Sequence, residues 1–281
     1  MAAAAIAGSV RDALGGATDA LAAARVETPR LDAELLLTEA TGWDRAQLAA
    51  EPEAGVSAAA ARGFGEMVRR RLRREPVAYI LGRKGFRSLE LMVDRRVLIP
   101  RPETELLVEL ALELRPRRVL DVGTGSGAIA LAIADELPGC EVTATDTSPA
   151  ALEVARANAE RLGLTKRVKL VEAMLPLAAE EFDLIVSNLP YVADWEWGDL
   201  EPEVTEWEPR EALLAGPDGL DVLRAAIPAA AGIAPVLGLE VGAGQAPAVA
   251  ELLFEAGFAT VETRADLAGI PRVVVGRRVV A

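Results

Sequence analysis

The chain is expected to form an α/β fold, a mostly parallel seven-stranded sheet with helices on both faces. Three observations predict it. Apolar runs that read as strands alternate with helical patterns after Leu114. One such run, Val119-Leu120-Asp121-Val122, enters the glycine-rich turn Gly123-Thr124-Gly125-Ser126-Gly127. Another, Phe182 to Ser187, ends in Asn188-Leu189-Pro190-Tyr191. In an open parallel sheet the carboxyl ends of strands are where ligands bind, so both segments are candidate sites.

Taken in order, residues 1–82 read as helical. Leu14, Leu21, Leu31, Leu35, Leu36 and Leu37 recur at roughly helical spacing. Thr28-Pro29 predicts an N-cap with proline at the first helical position. A third helix is expected from Ser57 to Arg73, and its Arg69–Arg74 run reads as a solvated face that can also meet an acidic partner. From residue 83 to residue 100 the pattern is that of a linking β-hairpin. Phe86, Leu89, Leu91 and Val93 form its first strand, Asp94-Arg95-Arg96 the turn, and Val97-Leu98-Ile99 the second strand. Pro100-Arg101-Pro102 then introduces a helix from Glu103 to Leu114. In the third domain, residues 101–281, strands are expected at 118–122, 141–145, 168–172, 182–187, 236–241, 260–264 and 272–275. Helices are expected at 126–136, 149–162 and 244–256.

Composition bounds the chemistry. The 281 residues are 51% hydrophobic, enough for a core, and the net charge of −13 argues against a protein that coats nucleic acid. The absence of histidine excludes Ser-His-Asp and Cys-His machinery and histidine metal ligands, and the single cysteine, Cys140, excludes an intrachain disulfide and cysteine-cluster metals. No metal is expected, and Cys140 reads as a structural thiol. The start lacks the basic region of a signal peptide, and the apolar stretch from Ala225 to Val241 is broken by Pro228, Pro235 and Glu240. A cytoplasmic protein with no membrane segment is expected.

The two candidate segments complement each other. Gly123, Gly125 and Gly127 let a ligand approach the backbone, and the following helix aims its N–H groups at it. Asp146, ending the next strand, is placed to accept hydrogen bonds from a ribose diol, and Asp121 from backbone N–H groups or a ligand ammonium. The spacing of Gly123, Gly125 and Ala128 also fits a dinucleotide fingerprint, and a tight turn with no ligand and an N-cap aspartate are the plain alternatives. An amide nitrogen is a poor nucleophile, so an enzyme acting on it must hold both N–H bonds with acceptors. The Asn188 side-chain oxygen and the Leu189 carbonyl supply two, Pro190 biases the Leu189 backbone toward an extended shape, and Tyr191 can lie against a planar group. The plain alternative there is an ordinary strand-ending turn. Together the segments point to methyl transfer to nitrogen.

These motifs give the chain a strong resemblance to the release factor glutamine methyltransferase family. Its members are class I, Rossmann-like S-adenosylmethionine enzymes that methylate the glutamine of the Gly-Gly-Gln motif in peptide chain release factors. The resemblance is sharpest in Glu75–Gly82, Leu98–Glu105, Asp121–Gly127, Ser187–Tyr191, Glu208–Leu213 and Asp218–Leu220. It implies that Gly123, Thr124, Gly125, Ser126, Gly127 and Asp146 hold S-adenosylmethionine, with Asp121 and Asn188 adjoining it and Glu172-Ala173-Met174 flanking its adenine. It also implies that Asn188, Leu189, Pro190 and Tyr191 grip the substrate glutamine, and that Arg101, Pro102 and Thr104 help close the pocket. A release factor would be the protein partner, docked by the helical domain, with no stably bound nucleic acid and a monomeric enzyme. Two positions depart from the family: Leu189 stands where proline is usual, and Ala173-Met174 where a polar residue and an aromatic are common. Adenine-N6 methylation of DNA remains an alternative because the Asn-x-Pro-Tyr pattern serves a flipped base equally well. A nicotinamide-dependent oxidoreductase and a non-catalytic binding protein are more distant readings.

Overall fold

A computed structural model of the chain describes residues 6–175 and 181–279. It divides into two compact units, Met1–Gly82 and Arg83–Ala281.

The first unit contains β1 (Ile6–Ser9), α1 (Val10–Ala23), α2 (Pro29–Thr41), α3 (Arg45–Ala50), β2 (Gly55–Ser57), α4 (Ala58–Leu72) and α5 (Val77–Leu81). No sequence signal marks the short β1–β2 pair. Leu14, Leu21, Leu36 and Leu37 are buried, each worth about 1.5–3 kcal/mol of apolar burial, whereas Leu31 is exposed. Thr28 flanks α2 but does not cap it, because its hydroxyl donates to Asp32 Oδ1 at 2.9 Å. The arginine run is not a uniformly solvated face. Arg71 is buried and donates through Nε to Asp32 Oδ2 at 2.7 Å, and Arg70 pairs with Glu75 at 2.5 Å. Position 71 falls on the inward side of α4, so a charge there needs a buried partner.

The second unit opens with a tight hairpin of β3 (Arg83–Phe86) and β4 (Leu89–Met92). It is shorter than the sequence reading placed it. The chain reverses at Arg87-Ser88, where Arg87 takes φ 50°, and Phe86 pairs with Leu89. Val97-Leu98-Ile99 forms no strand. Val97 and Ile99 are buried in a loop, and the Ile99 N–H donates to the Glu208 carboxylate at 3.0 Å instead of to a ladder. After a short 3-10 turn at Pro102–Thr104 come α6 (Glu105–Leu114), β5 (Arg118–Val122), α7 (Ala128–Glu136), β6 (Glu141–Asp146), α8 (Pro149–Arg161), β7 (Val168–Glu172) and β8 (Leu184–Ser187). The chain continues through α9 (Pro202–Thr205), α10 (Asp221–Ala231), β9 (Val236–Glu240), α11 (Ala246–Glu255), β10 (Thr260–Ala265) and β11 (Pro271–Arg277).

The seven-stranded sheet runs β10-β11-β9-β8-β5-β6-β7. Only β11 pairs antiparallel, with β9 and β10, and the other neighbours are parallel. Strand alternation sends successive side chains to opposite faces. Val119, Leu184 and Val186 join α6 and α7 on one face, while Leu120, Val122 and Ile185 join α10 and α11 on the other. The order reverses between β5 and β8, whose ends lie side by side, with Val122 opposite Ser187. A crevice outside the carboxyl ends of two such strands is where this kind of sheet holds ligands.

Candidate active site

The turn after β5 is built largely from its own neighbourhood. The Gly123 and Thr124 N–H groups both donate to the Thr145 carbonyl at 2.9 Å, fastening the turn to β6. The Gly125 N–H donates to Asp146 Oδ2 at 2.9 Å, and the Ser148 N–H donates to Asp146 Oδ1 at 2.8 Å. Asp146 therefore braces two loops, the turn role foreseen for it, while also facing the cavity. Gly127 caps α7 at φ 85°, and a Cβ there would come within 2.8 Å of Leu131 Cδ1. The helix starts at Ala128, two residues later than its predicted start at Ser126.

Asp121 lies beneath this turn and does not line the cavity. Its Oδ2 accepts from the Thr124 hydroxyl at 2.6 Å and from the Ala130 N–H at 3.2 Å, and its buried Oδ1 has no partner among the described residues. Burial pushes this carboxyl up to about 7, against the opposing pull of those two donors. Cys140 is buried away from the site, and desolvation raises its thiol to about 11, which suits a structural thiol.

The loop after β8 is braced from a distance. The Asn188 Nδ2 donates to the Thr104 hydroxyl at 3.1 Å, across 84 residues of sequence. With the amide nitrogen engaged, Oδ1 is the end of Asn188 left for a ligand. The Tyr191 carbonyl accepts from Gln245 Nε2 at 2.8 Å, and Gln245 Oε1 in turn accepts from the Gly242 N–H at 2.9 Å. Gly219, at φ 76°, lies so close that a Cβ would stand 2.3 Å from the Tyr191 carbonyl. The Tyr191 hydroxyl donates to Glu240 Oε1 at 3.4 Å, and burial raises the tyrosine's pKa further above its ordinary value.

The two loops lie side by side. A Cβ added to Gly123 would lie 3.2 Å from Leu189 Cδ2 and 3.8 Å from the Asn188 carbonyl. Beside them opens a cavity of about 350 Å³, within the range of small-molecule sites. Its walls include Gly123, Thr124, Gly125, Ser126, Asp146, Met174, Thr104, Asn188, Leu189 and Pro190. Gly127, Asp121, Arg101, Pro102 and Tyr191 stand behind the walls, not in them. Arg101 is a clamp: it pairs with Glu208 at 2.5 Å and donates to the Ile99 carbonyl at 3.1 Å. Ala173 lines the cavity, but its N–H is taken by the Asp146 carbonyl at 3.0 Å.

Sequence reasoning missed several contributors. Val97, Leu98 and Ile129 add apolar wall, and Pro209, Glu211 and Ala212 reach the cavity from the segment after β8. The Glu208–Leu213 motif was the available signal for the latter. Gln245 and Glu240 had none, because their partners lie far away in sequence. The cavity thus offers a carboxylate for a diol, apolar walls that include Ile129, Met174 and Leu189, and open space at Gly125, where a Cβ would meet nothing within 4 Å. An amide acceptor pair adjoins these.

Comparison with known proteins agrees with this architecture. Residues 12–82 match the model of the PrmC N-terminal domain and residues 102–200 that of the methyltransferase small domain. A release factor glutamine methyltransferase of Xylella fastidiosa strain Temecula1 is 46% identical over 92% of this chain and 96% of its own length. One from Geobacter sulfurreducens is 44% identical over 96% of each chain. Among solved structures, the hMettl16 catalytic domain in complex with MAT2A 3'UTR hairpin 6 aligns with TM-score 0.56 at 17% identity, over 66% of this chain and 74% of that one. A methyltransferase from Pyrococcus furiosus aligns with TM-score 0.51 at 18% identity, over 70% of this chain and 92% of its own. These two share the fold of the second unit. With near-full-length identity above two fifths and both family segments in order, the chain belongs to the release factor glutamine methyltransferase family.

Proposed function

We propose that the protein transfers the methyl group of S-adenosylmethionine to the side-chain amide nitrogen of the glutamine in the Gly-Gly-Gln motif of release factors. The observation that carries this reading is that the two loops line one cavity. A cofactor over the glycine turn and a carboxamide at Asn188 would share one cavity.

The residues present fit the cofactor. The Asp146 carboxylate suits ribose hydroxyls, the apolar lining that includes Ile129, Met174 and Leu189 suits a purine, and the glycine turn leaves room for close backbone approach. When bound, S-adenosylmethionine supplies an electrophilic methyl group on its sulfonium. The protein's task is then orientation. The Asn188 Oδ1 and the Leu189 carbonyl accept the two N–H bonds of the glutamine side chain and aim its nitrogen, with the Thr104 contact holding Asn188 in the accepting sense. Tyr191 stays protonated because burial raises its pKa, so it is no base and serves as a strut behind the wall. In this reading the helical unit docks the release factor, and the enzyme works as a cytoplasmic monomer without stably bound nucleic acid. Methylation of adenine in DNA draws on the same four-residue pattern, but the net charge of −13 opposes duplex binding and the relatives bear release-factor names.

The test is incubation with methyl-labelled S-adenosylmethionine and a purified release factor, followed by peptide mass spectrometry. Label on the Gly-Gly-Gln glutamine is expected. Bound cofactor with an unlabelled release factor would overturn the proposal.

A further inference from the structure

Beyond Tyr191 the chain makes an excursion, residues 192–216, that starts at the reacting loop and returns to the cavity. Its base is closed on itself. The Val192 N–H donates to the Leu213 carbonyl, the Ala215 N–H to the Val192 carbonyl and the Asp194 N–H to the Gly216 carbonyl, each at 2.9 Å. On the way back, Pro209, Glu211 and Ala212 join the cavity wall that Asn188 and Leu189 also line. The composition of this excursion is unlike the rest of the chain. It carries eight acidic side chains and one basic one, Arg210, together with three of the chain's four tryptophans.

Two of those tryptophans hold a guanidinium. Arg95 stands 4.7 Å above the ring centre of Trp207, and Arg210 stands 5.1 Å above that of Trp197. Trp195 has no such cation among the described residues and is 71% exposed. It lies near the start of the 3-10 helix Asp194–Asp199. Glu196 turns back to accept from the Ala193 N–H at 2.8 Å, which fixes that start. Asp194 and Asp199 are exposed and enter no ion pair among the described residues. An open indole face with carboxylates on the same turn attracts a cation twice over, by the ring quadrupole and by charge.

We propose that Trp195, with Asp194 and Asp199, docks a basic side chain of the protein substrate close to the glutamine being methylated. This rests on the function proposed above and names a recognition element for it. The substrate's arginine or lysine would lie on Trp195 as Arg210 lies on Trp197. Geometry bounds where that residue stands in the substrate. Seven positions separate Trp195 from Asn188, and a chain reaches at most about 3.6 Å per residue, so the two lie within about 25 Å. About seven extended substrate residues therefore span the whole distance.

The experiment measures KM and kcat for a purified release factor at saturating S-adenosylmethionine, with cofactor Kd by calorimetry as the check on folding. Trp195→Ala is expected to raise KM about tenfold, while kcat moves by less than about twofold and cofactor Kd holds. Trp195→Phe keeps a ring face and should recover most of the loss. In the double variant Asp194→Asn, Asp199→Asn, KM should rise less steeply with salt than it does in the parent. The release factor is changed in parallel: each Arg or Lys within about seven positions of the Gly-Gly-Gln glutamine is replaced by Gln in turn. One replacement should raise KM about tenfold with the parent and leave it unmoved with Trp195→Ala, the non-additivity of a direct contact. An unchanged KM in Trp195→Ala, with or without a loss of kcat, or additive losses with every replacement, would overturn the proposal. A parent that binds cofactor but leaves the release factor unlabelled refutes the underlying function instead.

Discussion

The two halves of the site are held in place by different means. The turn after β5 is fixed by groups within ten residues of it, Asp121, Thr124 and Ala130, and by the adjoining strand end at Thr145 and Asp146. The loop after β8 depends on Thr104, Gly219, Glu240 and Gln245, contributed by four other segments. Local bracing suits binding a cofactor whose shape does not change. Bracing from several elements suits the orientation of a weak nucleophile, where misplacement by about 1 Å can cost a hundredfold in rate. Damage to the two loops should therefore separate, one in affinity and the other in turnover.

The largest effect is expected from Asn188→Ala. Removing the acceptor from the reacting nitrogen should lower kcat by about a thousandfold, comparable with losing a preorganised donor or acceptor elsewhere, while cofactor Kd stays within about twofold. Calorimetry and single-turnover labelling check both numbers. Equal losses in the two would erase the division between the loops. The opposite pattern is expected of Gly127→Ala. A Cβ there meets Leu131 Cδ1 at 2.8 Å and the residue must keep φ 85°, so the turn shifts and about 1–3 kcal/mol of strain enters. Cofactor affinity should fall about tenfold or more, with kcat at saturation changing less than Kd does. A variant that loses kcat but binds normally would show the turn to be part of the reacting machinery.

The same contrast decides how far the sequence could be read. β5 falls where its apolar run predicts, because a strand buried on both faces needs little more than that run, and β7 keeps its predicted bounds at the sheet edge. The glycine turn was legible for the related reason that Asp121, Thr124 and Ala130 lie close in sequence, and Asp146 because it ends the neighbouring strand. Val97-Leu98-Ile99 has the same apolar character, yet its backbone is satisfied by Glu208, 109 residues away, and no local pattern reports that. Arg71 was misread as solvated because Asp32, 39 residues earlier, is invisible to a helical wheel. The sequence reading set Arg101 and Tyr191 at the site, and the structure sets them behind the walls, as clamp and strut. Glu240 could not be singled out at all: a glutamate ending a strand is unremarkable until the Tyr191 hydroxyl is found donating to it.

Asp121→Asn sharpens the cofactor side of the comparison through stability. In the unfolded chain the acid has its ordinary value of 3.8, and in the folded protein it is raised to about 7. Below about pH 4 both states carry the proton and the group costs nothing. Between these values the unfolded chain has released its proton while the folded one retains it, so stability falls as pH rises, and above about 7 the full penalty remains. The asparagine variant lacks this dependence. Its stability relative to the parent should grow by on the order of 3 kcal/mol from pH 4 to pH 7 and then level off, as urea unfolding would show. A difference that does not vary with pH would mean the buried oxygen is solvated or paired.

The smallest effect concerns Leu189, where the family usually has proline. If only the carbonyl at this position handles substrate, Leu189→Pro should keep kcat within about threefold, because proline's fixed φ is compatible with an extended residue ahead of Pro190 and Leu189 has no positive φ to lose. Stability should fall by about 1 kcal/mol, since the buried leucine packs with Leu120, Val122 and Ile185 and proline fills less of that space. Steady-state rates and urea unfolding measure the two. A tenfold loss of kcat with unchanged stability would show that the Leu189 side chain, through its contact beside Gly123, sets the distance between the loops. In that case the reacting end would share a positioning element with the cofactor end, and the two could no longer be treated as separately braced.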